Sequence, residues 1–134
     1  VAAVVRWPLG SSVRRSSVCC AMIRWEAMRC CCALEQDPEA LLRFSLAAFR
    51  SYFAHGDNID EPAVLIEIAS QCGLAGETLL ERASTQPVKD QLRANTEEAI
   101  SRGAYGSPTI FINDKLYFGN DQLPLVRQAL LDEG

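Results

Sequence analysis

The stretch that decides the fold runs from Gly106 to Asp121 and reads GSPTIFINDKLYFGND. The β-branched and aromatic residues at 109–112 predict a strand, the pair at 113–114 predicts a tight turn, and the apolar run at 116–118 predicts a second strand. Pro108 opens the first strand, where a missing N–H costs least. Asn120 or Asp121 can then cap a following helix, whose first N–H groups attract anions.

The chain between residues 37 and 103 carries start and stop signals for four helices. Asp37-Pro38-Glu39 combines an N-cap acceptor, a first-turn proline and an acidic residue. Leu42, Leu46, Phe49 and Phe53 recur at i, i+4, i+7 and i+11, which predicts the buried face of a helix that ends at Gly56. The later helices are predicted at about 62–72, 75–83 and 87–102, with Asn95 and its polar neighbours on a solvated surface. A last helix is predicted at 121–132, burying Leu123, Val126 and Leu130.

The first third of the chain has a different composition. Residues 1–35 contain five arginines and two glutamates, and residues 13–35 contain neither Gly nor Pro. A short strand at 2–5 and one helix across 13–35 are the predicted elements. The sequence starts without methionine, which indicates a fragment or an unusual gene start.

Composition and charge argue against two classes of protein, nucleic-acid binders and membrane proteins. A length of 134 residues predicts one domain with a modest core, and a net charge of −4 argues against nucleic-acid binding. No run of eighteen apolar residues is present, and the N-terminus lacks a signal-peptide pattern, so a cytoplasmic protein without membrane partners is expected.

The six cysteines stand in an unusual pattern. Two are adjacent at 19–20, three are adjacent at 30–32, and Cys72 stands alone. No Cys-x-x-Cys occurs, so neither a dithiol redox centre nor a zinc pair is indicated. The cysteines are interpreted as small apolar packing residues, with reactive thiols as the alternative, and no metal site is predicted.

The run from Gly106 to Asp121 resembles the end of a thioredoxin-fold protein. It is most similar to the branch of the DsbA superfamily that holds 2-hydroxychromene-2-carboxylate isomerases and kappa-class glutathione transferases. Residues 49–53, 56–60 and 93–99 resemble the helical insertion of that branch. The resemblance covers residue 35 onward and implies an α/β fold: an incomplete thioredoxin-like fold made mostly of helical insertion, with a C-terminal β-hairpin and helix. The implied segments are an atypical, helical N-terminal segment (1–34), a helical insertion (35–103) and a thioredoxin-like ββα unit (104–134).

The resemblance also implies a glutathione site. Ser107 would make main-chain hydrogen bonds to the cysteinyl part of glutathione, and Pro108 would shape the turn. Asn120 and Asp121 would hold the γ-glutamyl end, the helix N-terminus taking its carboxylate and the Asp121 side chain its ammonium. Gln122 stands where the family often has arginine. The competing interpretations are a strand-opening turn for 107–108 and a plain helix cap for 120–121.

A substrate pocket is a further implication, because the helical insertion covers the active site in this family. Tyr52, Phe53 and His55 would line the mouth of that pocket. His55, the only histidine, is also a candidate general base, although no orienting partner is visible in the sequence. An aromatic stripe at this spacing is otherwise a core feature.

The implied reaction is glutathione-dependent cis–trans isomerisation of an aromatic small molecule such as 2-hydroxychromene-2-carboxylate. The family's catalytic serine is not recognisable: Ser11 and Ser12 follow an apolar run but lack the family's context, so the catalytic residue is unknown and the chain is expected to be inactive. A DsbA-type disulfide oxidoreductase and a non-catalytic helical binding or dimerisation module are the alternatives. Because the first βαβ unit is not recognised, uncovered apolar surface favours a homodimer.

Overall fold

The structure, a computed structural model, describes residues 17–19, 25–106 and 108–133. In chain order its elements are β1 (Ser17–Cys19), α1 (Trp25–Ala33), α2 (Pro38–His55), α3 (Pro62–Gln71), α4 (Gly76–Ala83), α5 (Gln86–Ser101), β2 (Thr109–Ile112), β3 (Lys115–Phe118), a 3₁₀ turn (Asn120–Gln122) and α6 (Leu123–Glu133). The described residues group into two compact units, one within 22–92 and the other within 1–21 and 93–134.

The predicted hairpin is confirmed. β2 and β3 pair antiparallel with Thr109 opposite Phe118 and Ile112 opposite Lys115. Asn113 adopts the left-handed backbone conformation, with φ of 52°, which suits the two-residue turn.

The prediction of one helix across 13–35 is wrong. β1 pairs antiparallel with β2, so the sheet has three strands in the order β1-β2-β3, and α1 is the separate helix Trp25–Ala33. Three residues are too few to show the alternation of a strand, and their conformation is fixed by pairing with a strand some ninety residues later in the chain. The predicted strand at 2–5 and the serines Ser11 and Ser12 lie outside the described residues.

Helices cover both faces of the hairpin. Side chains alternate across a strand, so Phe111 and Leu116 share one face and Ile110 and Tyr117 the other. Phe111 packs with Ala99 of α5 and with Ala104, whereas Ile110 packs with Val126 of α6. The Arg102 guanidinium lies 4.1 Å from the centroid of the Phe111 ring and donates to the carbonyl of Asn113. The body of the hairpin is therefore packed on both faces, and Arg102 contacts it at the turn, opposite the end where Pro108 and Gly119 meet.

The end signals of α2 are confirmed. The Asp37 carboxylate accepts a hydrogen bond from the Ala40 N–H at 3.1 Å, Pro38 occupies the first turn, and Gly56 caps the C-terminus in the left-handed conformation.

The predicted buried face of α2 is wrong. Leu42, Leu46 and Phe53 are exposed, and Phe49 is half-buried. The buried residues are Ala40, Leu41, Phe44, Ala48 and Ser51. The predicted residues and the buried residues both recur at helical spacing. The buried set, which contains Ala40 and Ala48, is the one that faces the neighbouring helices.

Two smaller predictions also fail. Asn95 is only 3% exposed rather than solvated. Leu123 is exposed because α6 begins there, two residues later than predicted, and its first turn leaves that side chain outside the core. Val126 is buried and Leu130 partly buried, as predicted.

Candidate functional site

The loop before β2 is tied to the end of β3. The Gly119 N–H donates to the Pro108 carbonyl at 3.0 Å, and the Thr109 hydroxyl donates to the Gly106 carbonyl. Thr109 is fully buried, while Pro108 is exposed. Ser107 lies outside the described residues. The register of the hairpin thus brings Pro108 beside Gly119 and the two residues that follow.

Asn120 and Asp121 lie in the 3₁₀ turn rather than at the cap of α6. The prediction that one of them caps the helix is wrong: α6 begins at Leu123, directly after the 3₁₀ turn, whose own cap residue is Gly119 without a side-chain cap hydrogen bond. The N–H groups of Gln122 and Leu123 are satisfied within the turn by the carbonyls of Gly119 and Asn120. The first N–H groups of the turn, those of Asn120 and Asp121, have no acceptor inside it.

The Asp121 carboxylate lies back over Gly119. A Cβ atom at position 119 would stand 2.6 Å from Asp121 Oδ1, and Gly119 has a φ of +96°, a conformation that favours glycine. Asn120 and Asp121 are both exposed. The hairpin end therefore presents an exposed carboxylate next to the first N–H groups of the 3₁₀ turn, a combination that suits a ligand carrying both an ammonium and a carboxylate.

An aromatic pair, not predicted as part of the site, flanks it. The rings of Tyr105 and Phe118 lie 4.7 Å apart between centroids and are tilted by 38°. The backbone of Gly106 abuts Phe118, since a Cβ there would stand 2.8 Å from Phe118 Cε2. In the sequence, Tyr105 lies two residues before Ser107 and Phe118 directly before Gly119, but the sequence alone does not show that the two rings meet.

The predicted pocket residues Tyr52, Phe53 and His55 belong to α2, in the other unit. Tyr52 is half-buried and packs edge-on against Phe53, with 4.9 Å between ring centroids. Phe53 and His55 are exposed. His55 alone of the three borders a cleft of about 350 Å³ between α2 and α3.

Sequence reasoning missed the partners of His55 in this cleft. The Ser51 hydroxyl donates to Asp57 Oδ2 at 2.6 Å, and His55 Nδ1 lies 4.0 Å from the same oxygen. That separation is too long for a hydrogen bond and makes an ion pair only when the imidazole is protonated. Because Ser51 is buried and its proton is committed to Asp57, this hydroxyl is not set up as a nucleophile.

The described cysteines are packing residues. Cys30, Cys31 and Cys32 are buried, and none of the four described thiols is in a disulfide. Burial raises the pKa of the Cys30 and Cys32 thiols to about 12, which leaves almost no thiolate at neutral pH. In residues 25–106 and 108–133 no three Cys, His, Asp or Glu side chains group as metal ligands would, and no helix is long and apolar enough to cross a membrane.

These features agree with the comparisons to known proteins. The family model for a DSBA-like thioredoxin domain matches residues 22–131, and the chain belongs to this family. Its mixed α/β structure, mostly helical with a small antiparallel sheet, is that of a partial thioredoxin-like fold.

Individual relatives place the chain within the family. It is 30% identical over 102 residues to human glutathione S-transferase kappa 1, covering 71% of this chain and 45% of that protein. The rat glutathione S-transferase kappa 1 is 31% identical over 112 residues, covering 78% and 50%. The 2-hydroxychromene-2-carboxylate isomerase of Sphingobium xenophagum is 28% identical over 89 residues, covering 66% and 46%. The chain thus spans about half the length of the curated relatives it matches.

Proposed function

We propose that this chain binds glutathione at the end of its β2–β3 hairpin, as a member of the isomerase and transferase group of its family. The observation that carries the proposal is the hydrogen bond from Gly119 to Pro108, which joins the proline loop to the Asn120–Asp121 turn. The names of the relatives, kappa-class glutathione transferases and a 2-hydroxychromene-2-carboxylate isomerase, support the same ligand.

The proposed roles follow from charge and hydrogen-bonding capacity. The exposed Asp121 carboxylate pairs with the γ-glutamyl ammonium of glutathione, and the N–H groups of Asn120 and Asp121 receive its carboxylate. The backbone at Ser107 pairs with the extended cysteinyl part, and Pro108 fixes the direction of the loop. Gln122 contributes no charge, so the anion is held by backbone N–H groups.

The proposed reaction class is glutathione-dependent cis–trans isomerisation of an aromatic small molecule in a cytoplasmic setting. The thiolate of bound glutathione would add to a conjugated carbon and turn the double bond into a single bond that can rotate; its elimination would then restore the double bond and free the glutathione. No hydroxyl in the described residues is assigned to poise that thiol. We therefore expect the chain to bind glutathione with little or no turnover.

Calorimetry with glutathione tests the proposal. Wild-type chain should bind in the micromolar to low-millimolar range, and Asp121→Asn should weaken binding at least about tenfold, which is about 1.4 kcal/mol. Asp114→Asn, an exposed aspartate in the turn at the opposite end of the hairpin, is the matched control and should bind like wild type.

A second ligand isolates the ammonium contact. N-acetylglutathione lacks the ammonium, so it should bind more weakly than glutathione and equally to wild type and Asp121→Asn. The absence of any heat at millimolar glutathione, or an equal loss in Asp121→Asn and Asp114→Asn, would refute the glutathione site.

A further inference from the structure

The Tyr105–Phe118 pair is more exposed than aromatic side chains in a folded protein usually are. Tyr105 is 69% exposed and Phe118 is 38% exposed. Burial of these rings against another apolar group would lower the free energy, because it would remove apolar surface from water. The pair is thus available for contact with a further group.

The backbone around Phe118 holds that ring in place, and the Tyr105 ring packs against it. Phe118 is fixed by the register that sets it opposite the fully buried Thr109, and its ring rests on the backbone of Gly106. The Thr109 hydroxyl in turn holds the Gly106 carbonyl. A rigid aromatic surface loses little conformational entropy when a ligand stacks on it.

The pair also lies close in sequence to Pro108 and Gly119, the two residues that meet at the end of the hairpin. Tyr105 stands three residues before Pro108, and Phe118 directly precedes Gly119, the residue that bonds to Pro108. One ring of the pair therefore lies in the loop that leads to Pro108, and the other lies on the last residue of β3, directly before Gly119.

We propose that the Tyr105–Phe118 pair is a stacking surface for a planar aromatic ligand, bound beside the Pro108–Asp121 end of the hairpin. That this ligand is the co-substrate of bound glutathione rests on the proposed function; the stacking contact itself does not. The rings favour an aromatic ligand because their faces attract other π-systems in offset or tilted geometry.

A small molecule fits this surface better than a protein partner does. Two aromatic side chains bury at most about 500 Å² between them. A stable protein interface buries roughly 800 Å² on each partner, which is more than this pair provides. A fused two-ring carboxylate is of the right size to cover both rings.

NMR titration with 2-naphthoate tests the proposal, with the saturated decahydro-2-naphthoate as the matched ligand. Wild-type chain should bind naphthoate more tightly than it binds the saturated acid. Tyr105→Leu should bind naphthoate at least fivefold more weakly than wild type does. Tyr105→Phe, which keeps the ring, should bind within twofold of wild type. Trp25→Leu removes an exposed aromatic from the other unit and should also leave binding unchanged.

The outcomes separate the two proposals. The stacking surface is refuted if wild-type chain does not bind naphthoate, or if Tyr105→Leu binds it as tightly as wild type does. It is also refuted if Trp25→Leu loses as much affinity for naphthoate as Tyr105→Leu. Each of these results counts even where glutathione still binds. If naphthoate binding depends on Tyr105 while glutathione gives no heat, the stacking surface stands and the glutathione site fails. Amide spectra that match wild type establish that Tyr105→Leu is folded.

Discussion

Burial raises the pKa of the Cys30 thiol from its ordinary value near 9.0 to about 12, although the neighbouring Arg29 guanidinium lowers it. The folded chain therefore keeps this proton to a higher pH than the unfolded chain does. The resulting stabilisation is fully present below about pH 9 and is lost as pH rises toward 12, at up to about 1.4 kcal/mol per pH unit.

Urea denaturation at about pH 8 and pH 10 measures this loss. We expect the free energy of unfolding of wild type to fall over this interval more steeply than that of Cys30→Ala, which has no thiol to titrate. Cys72→Ala is the comparison, because Cys72 is only partly buried and should change the slope less. Parallel slopes for wild type and Cys30→Ala would contradict the assignment.

Part of the candidate site could be predicted from single residues. Pro108 and Asp121 stand out in the sequence because proline and aspartate have strong positional preferences at strand openings and helix starts. The Tyr105–Phe118 pair could not be predicted the same way, since its contact depends on which residue of β3 faces which residue of β2. Phe118 occupies the space beside Gly106, a contact that the sequence around Gly106 does not indicate.

At the scale of elements, α2 shows how periodicity can leave the buried face undecided. Leu41 is fully buried, whereas Leu42 is 47% exposed. One residue along a helix is a rotation of about 100°, so two stripes that differ by one position face different directions. When both stripes are apolar, the packing of neighbouring helices decides between them, and a sequence window does not contain that information.

Alanine substitutions at these two adjacent leucines test the assignment directly. Leu41→Ala should lower the free energy of unfolding by about 2–5 kcal/mol because it leaves a cavity in the core. Leu42→Ala should change it by less than about 0.5 kcal/mol. Urea denaturation, run at a concentration where the chain is monomeric, compares the two. Similar losses in both variants, or a larger loss in Leu42→Ala, would mean that the helix is rotated from the orientation described.

At the scale of the whole molecule, the hairpin and most helix limits followed from capping residues, proline and turn chemistry. β1 did not, because it pairs with a strand about ninety residues away and carries no local signal. The family assignment and the fold class followed from the C-terminal stretch together with the helical insertion, whereas the strand order depends on long-range pairings.

The apolar stripe of α2, formed by Leu42, Leu46, Phe49 and Phe53, gives a reason for the chain to associate with itself, because all but the half-buried Phe49 are exposed. Its residues follow a spacing of four, three and four, which is that of a coiled-coil seam. A stripe of this kind can pair with its own copy about a two-fold axis, since the same surface then serves both subunits. We therefore expect a homodimer in which two α2 helices cover each other's stripes.

Sedimentation velocity across about 1–200 μM protein tests this dimer. Wild-type chain should shift toward the dimer as concentration rises, and Leu46→Glu should remain monomeric because two carboxylates would be buried against apolar side chains at the seam. Leu131→Glu places the same charge at another exposed leucine, on α6, and should associate like wild type. A wild-type chain that stays monomeric throughout, or an equal effect of both substitutions, would show that the α2 stripe is not a self-association surface.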